Sequence, residues 1–320
     1  MALLQQVLEG TLPLSFARPG FRSRRERFVE GDLDVDMRGK VCLVTGGNAG
    51  LGRATARALG KRGATVHLLC RSRSRGEEAA AALRLEAGNP RFFVDEVDIA
   101  DQVAVRRFAE RFDAEQIDVL VHNAGVLLDE RQESSDAIEL TWATAVTGPF
   151  LLTWLLAPKL REAEQGRVIF VSSGGMYTRR LRLDDWQWAR RSFDGVAAYA
   201  LAKRAQVVLS ELWAEVLAST PVTVNAMHPG WASTGGVQRS LPIFYNLTKP
   251  LLRSAEEGAD TVVWLAMCSR LGDQSGAFYF DRAAVATHKL PWTKETEQTR
   301  EGLWRLCAEL CGLDDTRLPI

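Results

Sequence analysis

The chain predicts an α/β fold, a doubly wound parallel sheet in a single domain with helices on both faces. Three observations carry that prediction. Short apolar runs alternate with helical patterns at regular intervals, which implies right-handed βαβ units. The runs are continuous rather than alternating, as strands buried on both faces require. The first run stops in glycines that open directly into a helix.

In order, Val41, Leu43 and Val44 form the first strand, and Gly46, Gly50 and Gly52 the turn after it. Ala54, Ala58 and Leu59 then recur at helical spacing, with Arg53 and Arg57 between them. The second strand is expected over 64–69, followed by an Ala- and Glu-rich helix over 74–87. A third strand over 91–97 runs into Asp98; a helix over 102–115 and a fourth strand over 117–122 follow. The pattern then predicts a long helix over 134–160, broken near Gly148 and Pro149 because proline removes a donor and clashes with the preceding turn. Strands over 167–171, 222–227 and 276–280 and a helix over 199–217 complete the domain. Residues 1–38 and 285–320 read as N- and C-terminal extensions of a domain over 39–284. The second extension carries a helix over 294–310 whose Leu303, Trp304 and Cys307 form one stripe.

Composition narrows the function classes. A chain of 320 residues, 46% hydrophobic and 25% charged, is ordinary for a globular protein. Its 40 basic and 40 acidic residues cancel, so nothing global points to nucleic acid. The basic run at 22–27 reads as a solvated face. The five cysteines have no paired or metal-ligand spacing, which fits a reducing compartment and a cytoplasmic location, with no metal. No transmembrane segment is expected, and the apolar start, interrupted by Pro13, is expected to pack on the domain, with a place on a lipid surface as the alternative.

Strand, glycine turn and helix in that order make an anion site suited to a cofactor pyrophosphate. About 20 residues on, where an acid would hold the ribose 2′-hydroxyl of NAD, stand Cys70 and Arg71. A guanidinium suits a 2′-phosphate, so the expected cofactor is NADP(H), with NAD(H) the alternative. Asp98 suits an adenine edge, and Asn123-Ala124-Gly125 lets backbone approach the cofactor. Tyr199 and Lys203, four apart, share a helix face, where an ammonium beside a phenol should lower its pKa and make Tyr199 an acid or base. Ser172 and Ser173 end a strand, where a hydroxyl can hold a substrate oxygen. His228 reads as a satisfied strand-end residue.

Taken jointly and in order, TGGNAGLG at 45–52, Asp98, NAG at 123–125, SS at 172–173, YALAK at 199–203 and HPG at 228–230 resemble the short-chain dehydrogenase/reductases over about residues 38–281. The long gap between Ser173 and Tyr199 is similar to the retinol-dehydrogenase-like branch. The resemblance implies a Rossmann fold and hydride transfer between nicotinamide and a carbonyl or alcohol. It implies that Tyr199 is the proton donor, that Lys203 binds the nicotinamide ribose and tunes Tyr199, and that Ser173, ahead of Ser172, positions the carbonyl. It places Gly46, Asn48, Gly50, Leu51, Gly52, Arg71, Asp98, Asn123 and Gly125 against the cofactor, with Pro229, Gly230 and Thr234 at the nicotinamide amide. One departure stands out: the family's Asn on the long helix aligns with Ala145. That departure favours the rival reading, a non-catalytic NADP(H)-binding sensor or scaffold. Trp186, Trp188, Trp231, Leu241, Ile243 and Phe244 are expected to rim an apolar, bulky small-molecule substrate, or else to pack among themselves. A homo-oligomer is compatible with all of this.

Overall fold

The computed structural model describes residues 12–233 and 248–314. Its centre is a sheet of eight strands in the order β3-β2-β1-β4-β5-β6-β7-β8. The strands are β1 (Val41–Thr45), β2 (Thr65–Cys70), β3 (Phe92–Glu96), β4 (Val119–His122), β5 (Gly166–Val171), β6 (Val222–Met227), β7 (Phe278–Phe280) and β8 (Ala283–Ala284). All neighbours are parallel except β7 and β8. The order reverses direction between β1 and β4, so a crevice opens past their carboxyl ends, where open α/β sheets take ligands.

Alternation along β1 explains why both faces are apolar. Leu43 enters the core on one face with Leu120, Phe150 and Phe170. Cys42 and Val44 enter the other with Val66, Val121 and Met227. The helices are α1 (Leu12–Phe16), α2 (Arg18–Arg25), α3 (Gly50–Lys61), α4 (Arg73–Ala87), α5 (Gln102–Arg111), α6 (Leu140–Arg161), α7 (Gly195–Val216), α8 (Ala255–Met267) and α9 (Glu297–Leu310). The expected doubly wound sheet is therefore present, with most strand bounds within two residues of those read from the sequence. The seventh strand starts late because Gly276, at φ +78°, turns the chain while its N–H still bonds Val224 O at 2.7 Å.

Three features differ from expectation. First, α8 went unread, although Ser254 and Glu257 form a reciprocal capping box at its start. Second, the long helix is distorted one turn earlier than its Gly-Pro pair. Ala143–Thr147 winds as a π turn in which Gly148 N–H donates to Ala143 O. Gly148 is required there for another reason, since a Cβ would lie 2.0 Å from Ile99 O. With 22 residues, α6 also has the length and apolarity of a membrane span, yet 89% of its most apolar window is buried inside the domain. Third, the basic run at 22–27 is not wholly solvated. Arg24 pairs with buried Asp281 at 2.6 Å.

The described residues of both extensions pack on the domain. On α9, Leu303 and Cys307 are fully buried, and the Trp304 ring lies 4.9 Å from both Phe150 and Trp213. All five cysteines are free and buried.

Candidate active site

The glycine turn between β1 and α3 is shaped by what crowds it. Gly46 and Gly50 adopt left-handed backbone, at φ +65° and +53°, which a side chain would strain. Gly52 has another constraint: a Cβ there would lie 2.4 Å from Gly46 O and 2.5 Å from Asn123 Nδ2. The first turn of α3 carries no acidic residue and its N-cap, Ala49, has no side chain that could bond the free N–H groups. They are left for an anion. Asn48 is half-buried in this turn, and Leu51 packs against α8, where a Cβ on Gly258 would meet its Cδ2 at 2.6 Å. These residues fit a dinucleotide pyrophosphate.

Thr45 and Asn123 tie this turn to β4. The Thr45 hydroxyl donates to Val121 O and accepts from the N–H groups of Asn123 and Ala124 at 2.9 and 3.0 Å. Asn123 Nδ2 donates to Thr45 O at 2.8 Å. Asn123 thus braces the switch point through its side chain, while Gly125 is exposed. At the end of β2, Cys70 is buried and its thiol turns to Ser72 O, whereas Arg71 is exposed. Asp98 is half-buried and caps the next turn, its Oδ1 accepting from Ala100 N–H at 3.0 Å.

The catalytic candidates meet where β5 and α7 run side by side. Ser172 is buried with its hydroxyl on Lys203 O at 2.8 Å, so it serves the scaffold. Ser173 is half-buried close to the Tyr199 phenol, and its Oγ accepts from Gly175 N–H at 3.2 Å. Lys203, 2% exposed, donates from Nζ to Val171 O and to Gln206 Oε1, each at 2.8 Å. Burial pushes its amine down to about 7.

The expected lowering of the Tyr199 phenol by this ammonium is corrected by the geometry. Nζ lies 5.5 Å from the ring centroid and spends its bonds elsewhere. Burial raises the phenol, and the Ser173 hydroxyl is the group that opposes it. A Cβ on Gly125 would be 3.6 Å from Nζ, so the amine lies beside the cofactor-side backbone.

After β6, His228 is buried and stacked on Phe280 with centroids 4.0 Å apart, and burial holds its imidazole neutral. Pro229 and Gly230 are half-buried; Gly230 sits at φ +70° and could not carry a Cβ, which would lie 2.5 Å from Phe16 O. Thr234, Leu241, Ile243 and Phe244 lie outside the described residues.

Of the remaining rim candidates, Trp188 is buried in its own loop against Phe193. Trp186 packs on Trp142, and Trp231 is half-buried beside Phe16. The first two therefore pack within the fold. Sequence reasoning overlooked Thr45, Phe16, Gln206 and Arg253. Only Thr45 stood inside a motif. A cavity of about 770 Å³ near Glu211, Thr223 and Arg300 contains none of the candidate residues; it lies at the amino end of β6.

Comparison with known proteins agrees with this geometry. The family model described as short chain dehydrogenase matches residues 40–242. Dehydrogenase/reductase SDR family member 12 of Bos taurus is 42% identical over 298 residues, spanning 92% of this chain and 93% of that protein. Retinol dehydrogenase 12 of Homo sapiens is 34% identical over 287 residues, spanning 88% and 89%. L-sorbose reductase from Gluconobacter frateurii, solved with NADPH and L-sorbose, superposes with a TM-score of 0.62 at 25% identity, covering 77% of this chain and 96% of that one.

Proposed function

The chain belongs to the short chain dehydrogenase family, within the retinol-dehydrogenase-like branch, and from that premise we propose that it is an NADP(H)-dependent oxidoreductase interconverting a carbonyl and an alcohol on an apolar substrate. The observation that carries the reading is the meeting of Ser173 and Tyr199 where β5 ends against α7, with Lys203 four residues on along the same helix and beside the backbone of Gly125. When bound, the nicotinamide supplies or takes up the hydride. The chain's own residues do the rest. Ser173 holds the substrate oxygen by a hydrogen bond. Tyr199 gives that oxygen its proton in reduction and takes it back in oxidation. Reduction thus consumes NADPH and one proton per carbonyl.

The preference for NADP(H) over NAD(H) rests on Arg71, exposed next to Cys70, which stands where an NAD site would carry an acid, and the L-sorbose reductase likeness holds NADPH. The apolar substrate rests on the retinol dehydrogenase relatives and on Trp231 and Phe16 beside the loop after β6. We also assign the protein to the cytoplasm, on its five free cysteines, with self-association left to sedimentation and location to cell fractionation.

The test is NADPH oxidation over a panel of retinoid, steroid and alkyl carbonyls, for wild type and Tyr199→Phe. Wild type should turn over at least one class. The variant should lose roughly 10²-fold or more in rate while binding NADPH about as well, because only the proton donor is removed. Tight binding with no turnover on any substrate would establish the sensor reading instead.

A further inference from the structure

An ammonium taken out of water must find acceptors, and Lys203 has two among the described residues. One is a main-chain carbonyl, Val171 O; the other is the side chain of Gln206, three residues on along α7, at 2.8 Å. Gln206 is itself 0% exposed. An ammonium can only donate, so the carboxamide must present oxygen to it, which turns Nε2 the other way. That Nε2 has no partner among the described residues. A buried carboxamide left half-satisfied is costly, so the bond on its other half is the feature that accounts for it. On the π turn of α6 that lies against α7, Ala145 has no polar side chain, and the hydroxyls of Thr144 and Thr147 are bonded to their own helix, at Leu140 O and Ala143 O.

We propose that Gln206 is a positioning residue of the active site, holding Lys203 in its charged form against the end of β5. This rests on the oxidoreductase reading of Lys203. Few charged groups compete for the role. On α7, Tyr199 is a phenol and Arg204 is turned to Glu295 and His288. At the end of β4, His122 is neutral and bonded to Thr153. The end of β5 brings only the hydroxyls of Ser172 and Ser173, the turn after it Tyr177, and the π turn nothing titratable. No carboxylate shifts Lys203, and burial is the sole cause of its depression.

The experiment follows the Lys203 amine directly. Lysine ¹³Cε resonances, with Lys203 assigned by its loss in Lys203→Arg, are titrated in wild type, Gln206→Met and Gln206→Glu. Removing an acceptor from a charged donor should lower the Lys203 titration by about one to two pH units, and a carboxylate in its place should raise it by a similar amount. The alkaline limb of the pH–rate profile should move in the same directions. Should Gln206→Met fail to fold, Gln206→Asn withdraws the oxygen by one methylene and should shift the titration downward by a smaller step. An unchanged titration in folded variants would overturn the proposal, since a purely packing role for Gln206 moves no proton. Titrations that shift in a protein that turns over no substrate would leave Gln206's role standing and remove the enzyme reading. Turnover without a shift would remove only Gln206's role.

Discussion

Arg71 and Lys203 show how differently a cation is used at the rim and in the wall of one site. Arg71 is exposed at the end of β2, and no hydrogen bond holds it among the described residues. Its contribution would come from a 2′-phosphate alone. Arg71→Ala should therefore weaken NADPH roughly tenfold or more and leave NADH nearly untouched, measured by quenching of protein fluorescence. Equal losses for both would show that another group reads the phosphate. Lys203 is buried, and its charge is costly to the fold. Unfolded, a lysine titrates near about 10.4, whereas here burial holds it near 7. Below pH 7 both states carry the proton and the full cost of burying it is present. Between about 7 and 10 only the unfolded chain keeps the proton, so stability rises with pH, by at most ~1.4 kcal/mol per unit. Lys203→Met lacks that slope. In cofactor-free protein, denaturant midpoints should therefore show wild type gaining on the variant as pH climbs from 7 to 10. A constant difference over that window would mean that Lys203 titrates normally.

At the scale of elements, the π turn in α6 bears on the position where this chain departs from its family. Ala145 lies within it, 1% exposed, in place of the family Asn. The distortion does not need the Asn side chain. Pro149 has no N–H for the carbonyl of Ala145, and Gly148 lets the helix press on Ile99. With the π turn present at Ala145 and with Gly148 and Pro149 beside it, we expect the site to work without the Asn side chain, as a catalyst rather than a scaffold. Ala145→Asn should then raise turnover little, within about threefold across pH. Because the site is packed, the larger side chain should cost about 1–3 kcal/mol in denaturant stability. A large gain would show that the backbone alone is insufficient and that the Asn side chain is needed at this position.

At the scale of the molecule, the strands were legible because burial on both faces leaves continuous apolar runs, as in VCLV and VIFV. The glycine turn was legible because Gly46 and Gly52 answer to steric limits that admit little else. What stayed hidden depends on contacts between distant segments, which no local pattern encodes. The clearest case is Phe16, 7% exposed: the apolar start was expected to pack on the domain, but nothing in the sequence said where. Its ring meets His228 at 4.7 Å and Phe280 at 5.3 Å, and a Cβ on Gly174, next to Ser173, would strike it at 2.7 Å. Its carbonyl accepts from Trp231 N–H at 2.8 Å and from Arg253 Nε at 2.9 Å. Buried Arg253 in turn bonds Pro229 O and pairs with Asp281 at 2.6 Å. The N-terminal extension therefore clasps both the loop after β6 and the turn after Ser173, whereas α9, which buries Leu303, packs on α7 and the π turn of α6. Phe16→Ala and Leu303→Ala should both destabilise, by about 2–5 kcal/mol. Only Phe16→Ala should also lower kcat/KM per folded molecule, several-fold, and weaken NADPH, because it frees the loop expected at the nicotinamide. If the two variants match in stability loss and in retained activity, the extension is a support for the fold and has no part in shaping the site.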